Sequence, residues 1–462
     1  MLSKDRSSTR AQSRFCFILI AVLLIMLWIS GGASRADVSG QIITRAASWI
    51  VLIVFIFFGQ RPALSSVKPV AFFILASAIL LTLQLLPLPP SVWTALPGRQ
   101  LLEQAATVTG QDQPWRPLSI SPGWTVNALS SLIVPATMCL LLAALATAEH
   151  WRMLTLLLGL IIASSLLGLL QFSGGHFDHP LINDVRGSVS ASFANRNHFA
   201  LFAAFGCILA PAWAFREERR GRWRIPIALA LLMLFALIIL ATGSRTGMLL
   251  GALAICLGLL NVRLQIRSEL NRLPRRTSLV LIGTCVVLLV TAIALSISLG
   301  RAVSLDRAFA LDAGEDLRRL ALPTVWEMAK LYFPFGSGIG TFDPVYRIHE
   351  PENLLSFNYF NHAHNDFLEI ILDAGLPGLI LLLGAVVWWL VKSLKAWRSK
   401  GSRLLLPRIG SMLLFLTFLA SITDYPARTP MIMAIVVIAA VWLNGSQNRE
   451  TVASLAGRDA EI

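Results

Sequence analysis

Apolar runs of about 20 residues, broken by short arginine- and lysine-rich stretches, recur along the whole chain. Runs of that length cross a hydrocarbon core of about 30 Å as helices. The pattern predicts twelve transmembrane helices, at roughly 15–33, 42–59, 69–88, 125–147, 151–172, 197–215, 225–242, 246–262, 278–299, 368–391, 405–423 and 431–445. The expected fold class is therefore all-α, a polytopic helical bundle.

Composition supports this reading. Of 462 residues, 56% are hydrophobic and only 14% charged, where a soluble protein carries roughly a quarter. The net charge of +14 could point to nucleic acid, but its placement points to a membrane. The loops "REERRGRWR", "RLQIRSELNRLPRR" and "KSLKAWRSKGSR" follow the sixth, eighth and tenth predicted helices, on the same side as the N-terminal "MLSKDRSSTR". By the positive-inside rule that side is cytoplasmic, and an even number of spans returns the C-terminus to it. Lys4, Arg6, Arg10 and Arg14 before an apolar stretch resemble a signal peptide, but "GAS" before Arg35 is a weak cleavage signal, so a retained first helix is expected. Cys16, Cys139, Cys207, Cys256 and Cys285 all fall in predicted spans without metal-ligand spacing, and read as small packing residues.

The longest loops, 89–124, 173–196 and 300–367, then face outward, and long loops in compact proteins are usually functional. The third contains "DAGEDLRRLALPTVWEMAKLYF", expected as an amphipathic helix near the interface with Leu317, Leu320, Leu322, Val325 and Met328 on its apolar face. "FGSGIGTF" lacks the strand–turn–helix setting of a dinucleotide loop and reads as a tight turn back toward the membrane. No metal motif is present.

Four polar groups converge on the outer face. Arg186, Arg196 and His198 precede the sixth helix. Arg245 sits in a tight turn in "ATGSRTGML". Arg318 and Arg319 lie in the long loop, and His362, His364 and Asn365 stand at the mouth of the tenth helix. A charge near membrane depth costs at least about 2.5–3.5 kcal/mol, and a lone arginine could simply snorkel to the headgroups. Several outer arginines together suggest an anionic ligand, because guanidinium forks bind phosphate bidentately. His364 is a candidate general base or phosphate donor; the alternative is a surface or helix-start histidine. Asp366, Glu369 and Asp373 share one helical face. Asp366 suits the helix N-terminus, and Asp373 is expected to pair with an arginine from another helix.

These residues bear a resemblance. His364-Asn365, nine residues, Gly375, two residues, Gly378 resembles the H-[NSQ]-x9-G-x-x-G pattern of the O-antigen ligase and polymerase superfamily. "GSRTG" around Arg245 and "RLALPTVWEMAKLYFPFGSGIGTF" are similar to other conserved-order segments of that family, and the likeness is best from about 183 to 383. It implies a GT-C-like fold with a long periplasmic loop between the ninth and tenth helices. Three regions are expected: 1–182, a core at 183–383, and 384–462. The implied enzyme is a metal- and cofactor-independent inverting glycosyltransferase of the bacterial inner membrane, acting on its periplasmic face. Its donor would be an undecaprenyl-diphosphate-linked glycan, and its acceptor lipid A-core or a growing polysaccharide. Carried over by motif, Arg245 and Arg319 would hold the pyrophosphate, Arg319 being chosen over Arg318 on its distance to Pro334. His364 would activate the acceptor hydroxyl or stabilise the departing phosphate. Arg186, Arg196, His362, Asn365 and Asp373 enter as supporting residues. Pro323 departs from the pattern, near where members often carry tryptophan.

Within the family a ligase is favoured over a polymerase or a protein oligosaccharyltransferase. Outside it, a transporter of lipid or glycan is the competing class, but its usual two matched halves are not visible here.

Overall fold

A computed structural model describes residues 2–175, 179–183, 188–216, 223–272, 274, 276, 313–355, 360–399 and 404–445. The chain is a polytopic helical bundle. In order, the helices that build it are α1 (Leu2–Ser30), α2 (Ser39–Phe58), α3 (Lys68–Gln84), α4 (Pro122–Ser131), α5 (Ile133–Ala143), α6 (Thr147–Phe172), α7 (Arg196–Ala214), α8 (Arg224–Ala241), α9 (Arg245–Asn261), α10 (Arg263–Leu270), α11 (Ala313–Tyr332), α12 (Phe342–His349), α13 (Asp366–Arg398), α14 (Leu405–Ala420) and α15 (Pro430–Asn444). A two-residue antiparallel ladder, Pro87–Leu88 with Arg116–Pro117, closes the first long loop.

Among the described residues, seven helices are long and apolar enough to cross a membrane, or eight if α9 and α10, bent by 65°, form one span. α4 and α5 count together as one of the seven, and α3, α14 and α15 are shorter apolar helices. Every predicted segment but one falls on a helix; the segment at 278–299 lies outside the described residues.

α7 is the most enclosed span, with 89% of its apolar window buried. Its sequence explains this. Ala200, Ala203, Ala204, Gly206 and Ala210 leave room for neighbours to approach, as small residues do between membrane helices. At Gly206 an added Cβ would stand 2.6 Å from the Phe235 ring of α8.

Outside the spans, α11 and α12 pack on the first turns of α13 and form a second small core from Val325, Met328, Tyr332, Phe342, Val345 and Leu372, among others. The buried stripe of α11 is Ala321, Val325, Met328, Ala329 and Tyr332, the i, i+4, i+7 spacing of an amphipathic face. Leu320 and Leu322, expected on that face, are instead exposed, as is Trp326. Leu317 has no described side chain. Pro323 does not interrupt the helix, which runs through it to Tyr332. Cys256 also departs from expectation: it is exposed, while Cys16, Cys139 and Cys207 are buried, and Cys285 lies outside the described residues.

The glycine turn after α11 docks on a break in α13. Gly375 has φ 57° and ψ −144°, outside the helical region, and Pro377 has no N–H to offer the Asp373 carbonyl. The turn supplies what the helix cannot. Ser337 N donates to Leu372 O (2.9 Å), Gly338 N to Asp373 O (2.9 Å), and Leu376 N reaches back to Pro334 O (2.8 Å). Gln84 of α3 also donates its Nε2 to Asp373 O (3.1 Å). This contact fixes α11 and α12 against the helix mouth that carries the histidines.

Candidate functional site

Asn365 caps α13, its Oδ1 accepting from Leu368 N at 3.0 Å, the usual economy at a helix start. One residue earlier, His364 has φ 50°. A bulky residue in the left-handed region is unusual and is found where a side chain must be aimed. That backbone turns the two histidines of "NHAHND" into different surroundings.

His364 is nearly buried. Its Nδ1 lies 3.3 Å from Asp424 Oδ1, off the line of a good hydrogen bond, so the contact is chiefly electrostatic. Asp424 comes from the hairpin between α14 and α15. Its Oδ2 accepts from Asn195 Nδ2 (3.0 Å) and Asn197 Nδ2 (2.7 Å), and its Oδ1 from Tyr425 N (3.0 Å). His198 Nε2 stands 3.5 Å from the same Oδ1, and its Nδ1 bonds Thr429 Oγ1 at 3.1 Å. Burial alone would raise the Asp424 pKa, but His198 and His364 more than offset that and hold it well below the ordinary carboxylate range. For His364, burial is the largest influence and lowers its pKa from the usual value; Asp424 opposes this and Arg318 adds to it. The imidazole therefore stays neutral to lower pH than an ordinary histidine, because its surroundings are dry.

His362 enters a different network. Its Nδ1 lies 2.9 Å from Glu369 Oε1, and Glu369 Oε2 accepts from Ala363 N at 2.8 Å. Arg428, also from the α14–α15 hairpin, reaches Glu369 Oε1 at 3.0 Å and Asp366 Oδ1 at 2.9 Å. Ser421 donates to Asp366 Oδ2 at 3.0 Å. The two carboxylates are deeply buried and Arg428 is partly so, a setting where unpaired charge is costly and paired charge survives. Burial disfavours the charged Arg428, yet Glu369 and Asp366 more than offset this and raise its pKa.

Among the described residues Asp373 pairs with no arginine, contrary to expectation. Its Oδ2 accepts from Gly340 N at 2.9 Å, because the glycine turn covers it and Arg428 is engaged by the two earlier carboxylates.

Tyr425 stands between the two networks. Its ring lies 4.2 Å from that of His362, 4.9 Å from His364 and 5.1 Å from His198, centroid to centroid. Burial is the main cause of its raised pKa, with Asp424 adding to it.

Of the candidate arginines, Arg318 is half-buried and close enough to influence both His364 and Tyr425, whereas Arg319 is exposed. Arg245 opens α9 beside Thr246, whose Oγ1 lies 3.2 Å from Thr423 Oγ1, next to Asp424. Ser244 caps that helix by accepting from Gly247 N at 2.8 Å. Arg196 is the first residue of α7, between Asn195 and Asn197, the two amides on Asp424. Arg186 lies outside the described residues. Among the described residues no group of three His, Cys, Asp or Glu is placed to hold a metal.

Residues 228–383 match the family model described as O-antigen ligase. The chain carries a domain of the O-antigen ligase superfamily. No curated protein matches the chain. The match takes in α9, α11 and the first half of α13, and so Arg245, Arg318, His362 and His364. It stops short of the α14–α15 hairpin, which supplies Asp424, Tyr425 and Arg428.

Those three residues, and His198 as their partner, were not assembled by sequence reasoning. A signal existed: "TDYPARTP" puts an aspartate and an arginine in a tight turn between apolar helices, and charges at such depth need a reason. What spacing alone cannot supply is the distance of 60 residues between His364 and Asp424.

Proposed function

We propose that the protein transfers a glycan from an undecaprenyl-diphosphate carrier to an acceptor hydroxyl at the outer face of a bacterial inner membrane, most closely in the manner of a ligase. The O-antigen ligase domain at residues 228–383 supports a ligase- or polymerase-type membrane enzyme; the donor, the face and the ligase branch are our reading. The observation that carries it is the buried His364–Asp424–His198 cluster with Arg318 beside it.

His364 is neutral above its lowered pKa. With its proton on Nδ1, toward Asp424, its Nε2 lone pair can take the proton of an acceptor hydroxyl, and Asp424 then stabilises the imidazolium that forms. The hydroxyl oxygen attacks the anomeric carbon. The glycosidic C–O bond to the carrier breaks with inversion, and the lipid diphosphate leaves carrying the electron pair. Arg318 and Arg245 offset the charge that develops on it, without need of a metal. Arg318 is preferred to Arg319 because it is half-buried and close enough to act electrostatically on His364, whereas Arg319 is exposed. Arg196 supports the site by placing Asn195 and Asn197, and the Arg428 lattice holds His362, Asn365 and the helix mouth in position.

Reconstituted transfer from an undecaprenyl-diphosphate glycan tests this, with lipid A-core, growing polysaccharide and protein offered as acceptors. His364→Ala at matched membrane levels should lose transfer by about 10²–10⁴-fold, the range of a general base. Equal transfer by both proteins would remove His364 from the chemistry, and no transfer by either would favour a carrier of lipid or glycan.

A further inference from the structure

A cleft of about 550 Å³ opens beside the site, on the far side of α14 from Arg245. Its walls come from α2, α3, α4, α5, α13, α14 and α15, and none of its lining residues belongs to α7, α8 or α9. Along α13 it extends from Asp366 to Trp389, about 35 Å of helix path at 1.5 Å per residue. That is the depth of a hydrocarbon core, about 30 Å. Its deep part is apolar, with Phe73, Leu414, Val437 and Trp388 on its walls. Its mouth is polar and reaches Asn361 and His362, two residues from His364.

Among the described residues, the charges at that mouth are neutralised within the protein, with one exception. Arg428 is held by Asp366 and Glu369. Arg35 pairs with Asp37, and Asp343 with Arg347 at 2.9 Å. Among the described residues Arg45 meets only neutral amides: Asn127 Oδ1 at 2.7 Å and, more loosely, Gln41 Oε1 at 3.5 Å. Its Nε is buried with no hydrogen-bond partner. An arginine placed inside an apolar span without a carboxylate is expensive, and an arriving anion would offset that cost. A guanidinium lying above a membrane-deep apolar groove is complementary to a phosphate above a hydrocarbon chain.

We infer that this cleft binds the lipid anchor of the acceptor, with a phosphate group of its head on Arg45 and its chain between α3, α13, α14 and α15. The lipid site stands on its own geometry; the word acceptor rests on the transferase reading. The two substrates then meet at the His362–His364 segment from opposite sides, the donor diphosphate from the Arg245 and Arg318 side and the acceptor from the Arg45 side. A lipid acceptor is thereby favoured over a protein acceptor.

Trp124, Trp388 and Trp389 line the cleft, so a brominated lipid seated there should quench their fluorescence. The full chain in detergent is titrated with brominated phosphatidic acid and, as the uncharged control, brominated diacylglycerol. Phosphatidic acid should half-saturate at about tenfold lower concentration, the size of a charge-assisted hydrogen bond. Arg45→Gln should erase that preference. Arg45→Lys, which keeps the charge and guards against misfolding, should restore it to within about threefold. Equal quenching by the two lipids in the wild type, or an undiminished preference in Arg45→Gln, overturns the lipid-phosphate site. Displacement of phosphatidic acid by undecaprenyl diphosphate overturns the acceptor assignment, because the cleft would then belong to the donor. Transfer to no acceptor with the lipid preference intact strikes the transferase reading alone, and loss of the preference with transfer intact strikes the cleft alone.

Discussion

His362 and His364 are two residues apart, and each faces a buried carboxylate from a neighbouring element, yet the two networks differ in kind. Around His362 the charges close on themselves: Arg428 spans Asp366 and Glu369, and Glu369 accepts from His362 and from the Ala363 amide. Around His364 they do not. Asp424 gathers two amides, a backbone N–H and two imidazoles, while the His364 contact at 3.3 Å is loose. A closed ionic lattice holds backbone in place. An open one keeps an imidazole poised, with a cation nearby, for a group that arrives from outside. The difference separates architecture from chemistry on a single turn of chain.

The sharpest way to break this comparison is to exchange the phenotypes. Arg428→Met leaves Asp366 and Glu369 buried without their cation, and should cost about 3–5 kcal/mol of stability. A lowered melting temperature in detergent and poor membrane yield would report it. His364→Ala, by contrast, should melt close to wild type while losing transfer. If the two variants melt alike, the division fails.

Next in size, Arg318→Gln should reduce transfer by about 10²–10³-fold, as the loss of one donor to developing charge does. Arg319→Gln should stay within about threefold of wild type, since substitutions of exposed side chains usually have small effects. Steady-state transfer rates of the two variants decide this, and a reversed order would return the role to Arg319.

A smaller effect is expected where α13 meets the glycine turn after α11. Gly375 has a positive φ, and a Cβ added there would stand 2.0 Å from Pro334 O. Gly375→Ala should therefore destabilise by about 1–3 kcal/mol, and hydrogen exchange should quicken in the 334–340 turn rather than in the spans. Exchange unchanged in that turn would mean the break in α13 does not anchor it.

Much of this was legible in the sequence, and for a physical reason. Spans announce themselves because a backbone in lipid must satisfy its own hydrogen bonds as a helix, so length and hydropathy locate them. The mouth of α13 was legible because Asn365 is a helix cap, but the break at Gly375 lies inside the single span expected at 368–391. Pairings across the bundle were not. Whether Asp373 meets an arginine or the Gly340 amide depends on which element covers it. Arg318 and Arg319 differ only by a 100° rotation on α11, which their neighbours cannot reveal. Asp424 and Arg428 stood in a short turn whose partners are separated by tens to hundreds of residues, and Arg45, a single charge in an apolar run, has its partner Asn127 82 residues away.

The finest test concerns pH. His364 has its pKa lowered by burial and by Arg318, while Asp424 pulls the other way. A base with a depressed pKa is neutral, and active, above that value, so transfer should hold as pH falls through about 6.5, the ordinary histidine value, and decline only below it. Removing an influence that raises the pKa should lower it further: Asp424→Asn should move the acid limb of the pH–rate profile to lower pH, along with any loss in rate. Removing one that lowers it should do the reverse, so Arg318→Gln should move the limb to higher pH. The stability term has the same sign as the wild-type limb. Below about pH 6.5 the unfolded chain takes up a proton at this histidine that the folded chain refuses, so folding weakens as pH falls. Opposite shifts in the two variants, read from pH–rate profiles at matched substrate, are what a base set between a carboxylate and a guanidinium must show. Shifts in the same direction would mean that His364 is not the group whose titration governs transfer.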